Sequence, residues 1–259
     1  GYFPQGGGAV NVQVDRTDYL QGKALDPILL GGYRGRVVSI GGVACTGGGV
    51  SAAEAEAMLA AATAVLRQRL EAAERLGAAA AAAVGHEIAG VLIAAVEPPP
   101  IEVSLDVDSR AFSSGGGLTL WAVTESGARL GGSALLELPR TSPKAKRHRG
   151  GGSEGCVGAG LGRAVGEAAA ADLLSQLSHG GAVDEHCCDQ LIAFMALAAG
   201  RSQVLAGPLS LHTQTAIHFA SELARCKIEV EDLDGGGLEA GLNMITCEGI
   251  SHSRARAYK

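Results

Sequence analysis

Apolar residues recur along the chain with two different spacings, and these spacings predict where strands and helices lie. Val10, Val12 and Val14 alternate with other residues, which is typical of a strand with one buried face, so residues 9–14 are predicted as a strand. Short runs rich in Val, Ile and Leu predict further strands at residues 28–30, 36–45, 101–107, 118–123, 128–136, 203–206, 227–230 and 242–247.

Helical spacing of apolar positions appears in four other segments. Ser51, followed three residues later by Glu54, forms a capping-box pattern at the start of a helix that reaches at least Leu70, and the alanine run 78–83 either extends this helix or is a low-complexity insertion. Further helices are predicted at residues 160–177, 184–199 and 211–225, and Gly200 is expected to end the second of these. Because strands and helices alternate, the fold class is predicted as α/β (α+β).

Two segments lack either spacing and are predicted as connections. Residues 15–35 are polar and broken by Pro27 and paired glycines, apart from the short strand at 28–30. Residues 139–155 are basic and rich in Pro and Gly, which is typical of a linker or long loop. The basic run 144–149 within this linker is either a nuclear-import or RNA-contacting patch or a solvated loop.

The composition bounds the size of the core and the kind of partner. With 259 residues, 47% of them hydrophobic, the chain is long enough for one large domain or two smaller ones. The formal net charge is −6, whereas a general nucleic-acid binder usually carries a basic face. Any RNA contact must therefore be local, or come from sequence outside these residues.

The six cysteines indicate reduced thiols in an intracellular protein, because none forms a Cys-x-x-Cys pair or a zinc-ligand spacing with His. No apolar run approaches the ~20 residues that span a bilayer. The chain opens on Gly1-Tyr2-Phe3-Pro4 without an initiator Met, so we expect it to be the interior of a longer protein.

Candidate chemistry concentrates in residues 184–192 and 207–218. Glu185 and Asp189 lie four residues apart at the start of a predicted helix and therefore share a face. His212 follows a tight turn at the start of the next helix, where free N–H groups suit a phosphate and where an imidazole nitrogen could attack phosphorus. Spacing alone also fits an ordinary arrangement, with acids that stabilise a helix start and a histidine that is hydrogen-bonded there. His218 is expected to be a packing or surface residue.

The longer phrases around these residues resemble a known family. Residues 180–192 read Gly-Gly-Ala-Val-Asp-Glu-His-Cys-Cys-Asp-Gln-Leu-Ile, residues 195–200 read Met-Ala-Leu-Ala-Ala-Gly, and residues 207–218 read Gly-Pro-Leu-Ser-Leu-His-Thr-Gln-Thr-Ala-Ile-His. These phrases, with the opening residues 1–8 and the Gly-Gly-Ser-Ala-Leu at 131–135, are similar to the RNA 3'-terminal phosphate cyclase family, and to its eukaryotic branch in particular.

The resemblance implies a fold of repeated βαβαββ-type units, similar to the carboxy-terminal domain of translation initiation factor 3, with a small inserted α/β domain. Residues 1–30 and 131–259 would belong to the large domain, which would be incomplete here, and residues 31–130 to the insert. Residues 51–107 match the family only loosely.

The resemblance also implies an activity of the ligase class, in which His212 is adenylylated by ATP with Mg²⁺ or Mn²⁺ and an RNA 3'-terminal phosphate is converted to a 2',3'-cyclic phosphate. Five residues would line the nucleotide site: His186, Cys187, Cys188, Asp189 and Gln190. It implies a nuclear protein of the nucleoplasm, otherwise intracellular and soluble, without membrane or obligate protein partner. No metal ligand is identified in the chain.

The sequence departs from the family pattern in ways that leave two alternatives open. His186 stands where the family usually has a Tyr that stacks on adenine, and a segment from about residue 140 to 155 resembles an insertion. The family's amino-terminal region, with its acidic metal ligand and basic residues, is absent from these residues. The alternatives are a non-catalytic relative in ribosomal RNA processing, against which His212 argues, and an inactive truncated remnant.

Overall fold

The computed structural model describes residues 11–13, 15, 17–80, 99–137 and 160–253, with only the backbone described for 73–80. The helices of this part are α1 (Thr17–Leu20), α2 (Ala52–Ala80), α3 (Leu161–Ser178), α4 (Glu185–Leu197) and α5 (Leu211–Ala224). The strands are β1 (Leu29–Leu30), β2 (Val37–Gly47), β3 (Ile101–Asp108), β4 (Gly115–Thr124), β5 (Arg129–Leu135), β6 (Ala199–Ala206), β7 (Lys227–Asp232) and β8 (Asn243–Ile250).

The first unit is a four-stranded mixed sheet in the order β3-β2-β4-β5, covered by α2 and α3. β2 pairs with β3 in parallel and with β4 antiparallel, and β4 pairs antiparallel with β5. Alternate residues of the central strands, such as Leu118, Leu120 and Ala122, are buried against the helices. Large apolar side chains from both helices, including Met58 and Leu173, complete this core.

The two helices of the first unit are fixed to each other by a carboxylate. Glu54 is buried near the start of α2, and its carboxylate accepts hydrogen bonds from the backbone N–H groups of Gly160 (2.8 Å) and Gly162 (2.7 Å) at the start of α3. These amides have no partner within α3, so Glu54 satisfies them from the neighbouring helix. Glu54 therefore caps α3, a role that the capping-box pattern assigned to its own helix.

The second unit is a four-stranded mixed sheet in the order β1-β6-β8-β7, covered by α4 and α5. β1 is parallel to β6, and β8 is antiparallel to both β6 and β7. An isolated parallel bridge joins Val183 to Ala206 at the end of β6. With this bridge taken as a first strand, the chain order from Val183 is β–α–β–α–β–β, and the predicted α/β class is confirmed.

Most of the predicted elements are present with similar bounds, and the differences have identifiable causes. The helix predicted for residues 184–199 ends at Leu197, because Ala198 turns to an extended conformation and Ala199 pairs with Ile250 of β8. Gly200 is thus a residue of β6, with a positive φ of 74°. The one-turn helix α1 was not predicted.

Several predictions concern residues that the structure does not describe. Of the strand predicted at 9–14, only residues 11–13 are described, and they form no regular structure. The linker at 139–155 and the basic run within it lie outside the described residues. The domain division at residues 31 and 130 stays a prediction; the first sheet itself runs from Val37 to Leu135.

Candidate functional site

α4 and α5 lie side by side on one face of the second sheet and begin at the same end of it. α4 connects the bridge at Val183 to β6, and α5 connects β6 to β7, which runs in the same direction because both strands are antiparallel to β8. Apolar residues from both helices share one core cluster with the sheet. The two helix starts therefore face the same side of the molecule, beyond the carboxyl end of β6.

The start of α5 places His212 in solvent and its neighbour Thr213 in the core. Ser210 is the N-cap, and its hydroxyl accepts a hydrogen bond from the Thr213 N–H at 3.2 Å. Leu209 before it is buried, and Gly207 packs so closely on the ring of His179 that a Cβ would lie 2.3 Å from it. The turn at Gly207 and Pro208 thus fixes the point at which α5 begins and leaves the imidazole of His212 accessible.

A buried amide holds the turn that precedes α5. Asn243 is fully buried, and its Nδ2 donates to the backbone carbonyls of Gly207 (3.1 Å), Gly241 (2.9 Å) and Leu238 (3.2 Å). The N–H of Leu209 donates in turn to the carbonyl of Leu238 at 2.7 Å. Asn243 therefore connects the turn before His212 with the loop that joins β7 to β8.

The start of α4 is held from the first unit. Asp184 is the N-cap, and its carboxylate accepts from the Cys187 N–H at 2.7 Å and from the Gly131 N–H of β5 at 2.9 Å. The side chain of Gln176 on α3 makes two hydrogen bonds to Glu185. Its Oε1 accepts a hydrogen bond from the Glu185 N–H at 3.0 Å, and its Nε2 donates one to the Glu185 carboxylate at 3.0 Å. The first turn of α4 is thus fixed to the first unit through Asp184 and Gln176.

An open cleft of about 550 Å³ lies between α4 and α5. Its lining residues are Asp189, Gln190, Leu211, His212, Thr215, Ala216 and Phe219. Asp189 Oδ1 is buried, and no hydrogen-bond partner for it occurs in the part of the chain that the structure describes. A buried carboxylate oxygen without a partner is costly, and a hydrogen-bond donor that reached this atom would remove that cost.

The structure brings three of the six predicted site residues to this cleft and places the other three elsewhere. His212, Asp189 and Gln190 line it. Cys188 is buried in the core, and burial raises the pKa of its thiol to about 11. Cys187 is half-buried, and burial raises the pKa of its thiol as well. His186 is exposed, with its Nε2 3.9 Å from the Glu185 carboxylate.

Sequence reasoning missed the apolar side of the cleft. Thr215, Ala216 and Phe219 follow His212 at intervals of three, four and seven residues, which places them along one face of α5. The same periodicity that predicted the helix would have found them. The cleft therefore combines a polar end, at Asp189 and His212, with an apolar end at the half-exposed Phe219.

Comparison with known proteins gives the class to which this fold and site belong. The sequence profile of the RNA 3'-terminal phosphate cyclase family matches residues 1–230. The chain therefore belongs to the RNA 3'-terminal phosphate cyclase family.

Individual proteins named as RNA 3'-terminal phosphate cyclases match different shares of the chain. A "Probable RNA 3'-terminal phosphate cyclase" of Dictyostelium discoideum is 49% identical over 90 residues, which is 34% of this chain and 21% of the relative. An "RNA 3'-terminal phosphate cyclase" of Drosophila melanogaster is 32% identical over 55% of this chain and 33% of the relative. One of Staphylothermus marinus is 30% identical over 97% of this chain and 56% of the relative. The matches thus span between about a fifth and just over half of these relatives' length.

No helix in the part of the chain that the structure describes is both long enough and apolar enough to cross a membrane. No group of three or more His, Cys, Asp or Glu side chains in these ranges is placed to hold a metal ion.

Proposed function

We propose that this chain carries the nucleotide-binding and histidine-adenylylation part of an ATP-dependent RNA 3'-terminal phosphate cyclase, a ligase. The observation that carries the proposal is the cleft between α4 and α5, which His212, Asp189 and Gln190 line together. Family membership supports the same reaction, because the phrase around His212 is one of those that resemble the family. Nuclear location and an RNA substrate are parts of the same proposal.

His212 is the proposed nucleophile of the first step. A ring nitrogen attacks the α-phosphorus of ATP, an N–P bond forms, and the bond from that phosphorus to the bridging oxygen breaks, so that pyrophosphate leaves. The side chain lies in the first turn of α5, where unpaired N–H groups and the helix dipole favour a negatively charged phosphate.

The next two steps transfer the adenylyl group and close the ring. An oxygen of the RNA 3'-phosphate attacks the adenylyl phosphorus, the N–P bond breaks, and His212 is released. The neighbouring 2'-hydroxyl then attacks the RNA phosphorus, AMP leaves, and the hydroxyl proton is lost. Adenylylation supplies the leaving group, because a phosphate monoester by itself is a poor electrophile.

The remaining residues have different proposed roles. Asp189 offers its unpartnered oxygen to an N–H or O–H of the nucleotide, and Gln190 borders the same cleft. His186 is exposed and free to stack on the base from the helix start. Cys187 and Cys188 contribute through packing, since Cys188 belongs to the core of the second unit and Cys187 packs against it.

The proposed metal, Mg²⁺ or Mn²⁺, would neutralise phosphate charge when bound. The described residues do not fit a dedicated site for it, since they contain no cluster of His, Cys, Asp or Glu ligands. No step above is therefore assigned to a metal held by this part of the chain.

The test is conversion of an RNA oligonucleotide with a 3'-phosphate, incubated with ATP and Mg²⁺, to an end that resists phosphatase. We expect the His212→Ala variant to lose at least about 1,000-fold in rate, as expected when a covalent nucleophile is removed. His218→Ala, an exposed histidine on the same helix, is the matched control and should keep the parental rate. Equal conversion by the His212→Ala variant would disprove the proposal.

A further inference from the structure

Gln176 connects the first unit to the first residue of α4 through both ends of its amide. It lies on α3 and is 4% exposed. Its Oε1 accepts the Glu185 N–H at 3.0 Å, and its Nε2 donates to the Glu185 carboxylate at 3.0 Å. A side chain that meets one residue with both a donor and an acceptor fixes that residue's backbone and the direction of its carboxylate together.

The connection from α3 to α4 is fixed as well. Arg34 is 2% exposed, and its guanidinium donates to the carbonyls of Leu177 and Gly181 (the latter at 2.8 Å). The N–H of Gly181 donates to His179 Nδ1 at 3.1 Å. Since these bonds hold the end of α3 and the chain after it, Gln176 reaches Glu185 from a rigid support.

We propose that Gln176 is a positioning residue, which holds the first turn of α4 in the orientation that presents Asp189 and Gln190 to the cleft. Glu185 and Asp189 are four residues apart and lie on one face of the helix, so a tilt at Glu185 moves Asp189 with it. The effect on nucleotide binding rests on the proposed function, whereas the effect on the helix does not.

A reciprocal exchange of the two side chains tests this proposal. Gln176→Glu places a carboxylate against that of Glu185 and removes the donor. Glu185→Gln keeps the bond, since its new amide oxygen still accepts. The double variant Gln176→Glu/Glu185→Gln restores the side-chain hydrogen bond in the opposite direction, because the new amide at position 185 donates to the new carboxylate at position 176. Ser175→Ala, an exposed position on the same helix, is the control.

Amide hydrogen exchange over residues 184–190 is the first measurement, with residues 211–216 as an internal reference. We expect about tenfold faster exchange in Gln176→Glu, as for a buried polar contact that is lost, and a return to within about twofold of the parent in the double variant. Unchanged exchange in the single variant, or no rescue in the double variant, would overturn the proposal. Rescue is the decisive part, because general destabilisation of α3 would not be reversed by a change at Glu185.

The apparent KM for ATP in covalent labelling is the second measurement. We expect it to rise about tenfold in Gln176→Glu and to recover in the double variant. Faster exchange with an unchanged KM would overturn the claim that this contact orients the nucleotide-binding residues. If the parent takes no label, the proposed function fails, and the exchange data still decide whether Gln176 positions α4.

Discussion

Asp184 and Asp189 lie five residues apart, and their carboxylates differ in how far their hydrogen-bonding capacity is used within the protein. Asp184 accepts two backbone N–H groups and therefore serves the fold. Asp189 leaves one buried oxygen without a partner among the described residues and therefore costs stability in the unliganded protein. A ligand that donates an N–H or O–H to this oxygen would remove that cost.

Substitution of Asp189 should separate stability from binding. We expect Asp189→Ala to leave the free energy of unfolding unchanged within about 0.5 kcal/mol, or to raise it, because no hydrogen bond to Oδ1 is lost. The same variant should weaken ATP binding about tenfold or more. Chemical denaturation and equilibrium binding of ATP measure the two effects. A loss of about 2 kcal/mol in stability with unchanged binding would make Asp189 a structural residue.

His179 predicts a pH dependence of stability. Burial, together with the nearby Arg34, lowers its pKa from 6.5 to about 4 in the folded chain. The unfolded chain therefore binds the proton first as the pH falls, so stability is lost between pH 6.5 and about 4. Allowing for partial solvent screening, we expect a loss of about 1 to 2 kcal/mol over this window.

Thermal or urea unfolding across that pH window measures this loss. His179→Gln should flatten the pH dependence, because glutamine does not titrate, whereas the exposed His218→Gln should keep it. A parental slope in His179→Gln would show that other groups cause the acid sensitivity.

At the level of elements, α2 and α3 approach each other closely over two glycines of α3. A Cβ at Gly162 would lie 2.3 Å from the Glu54 carbonyl oxygen, and one at Gly166 would lie 2.2 Å from that of Met58. The two glycines are four residues apart and thus form a flat strip on the α3 face that meets α2. This strip allows the short distance over which Glu54 caps α3.

Gly166→Ala tests this packing, because alanine is the better helix former by about 1 kcal/mol and would stabilise an uncrowded helix. The clash with backbone should outweigh this gain, so we expect a loss of about 1 to 3 kcal/mol in the free energy of unfolding. Gly32→Ala is the control, since nothing lies within 4 Å of its Cβ position. Equal stability of the two variants in urea unfolding would contradict the close packing.

The sequence predicted an element correctly where its apolar residues kept one spacing throughout. It failed where pairing with a distant segment set the end of the element. β2, α3 and α5 follow from spacing alone. The end of α4 does not, because β8 pairs with the chain from Ala199 onward and overrides the helix preference of alanine. His212 was found from the phrase around it, whereas the unpartnered oxygen of Asp189 depends on the packing of two helices and has no local signal.

At the level of the whole molecule, α4 and α5 expose large apolar side chains, and two of them, Leu211 and Phe219, line the cleft. Leu223 is 83% exposed and Leu211 76%, and Phe194 and Phe219 are each about half-exposed. Thr213 is the only buried residue of α5. An apolar surface of this kind favours association with another surface.

We therefore expect the 259-residue chain to self-associate and to be poorly soluble. Leu223→Lys should increase the monomer fraction in sedimentation or light scattering, because a charge at this position opposes apolar contact. Leu238→Lys, at a less exposed position in the β7–β8 loop, is the control and should change little. A parent chain that is monomeric and melts cooperatively would contradict this expectation.

Transfer of an adenylyl group to the protein is the measurement that decides whether His212 is a covalent nucleophile. The chain is incubated with α-labelled ATP and Mg²⁺ or Mn²⁺, denatured, and digested for mapping of the labelled residue by mass spectrometry. We expect an acid-labile, alkali-stable label on His212 that is absent from His212→Ala and present in His218→Ala. Label on another residue, label of equal yield in His212→Ala, or no label on the parent chain would contradict it.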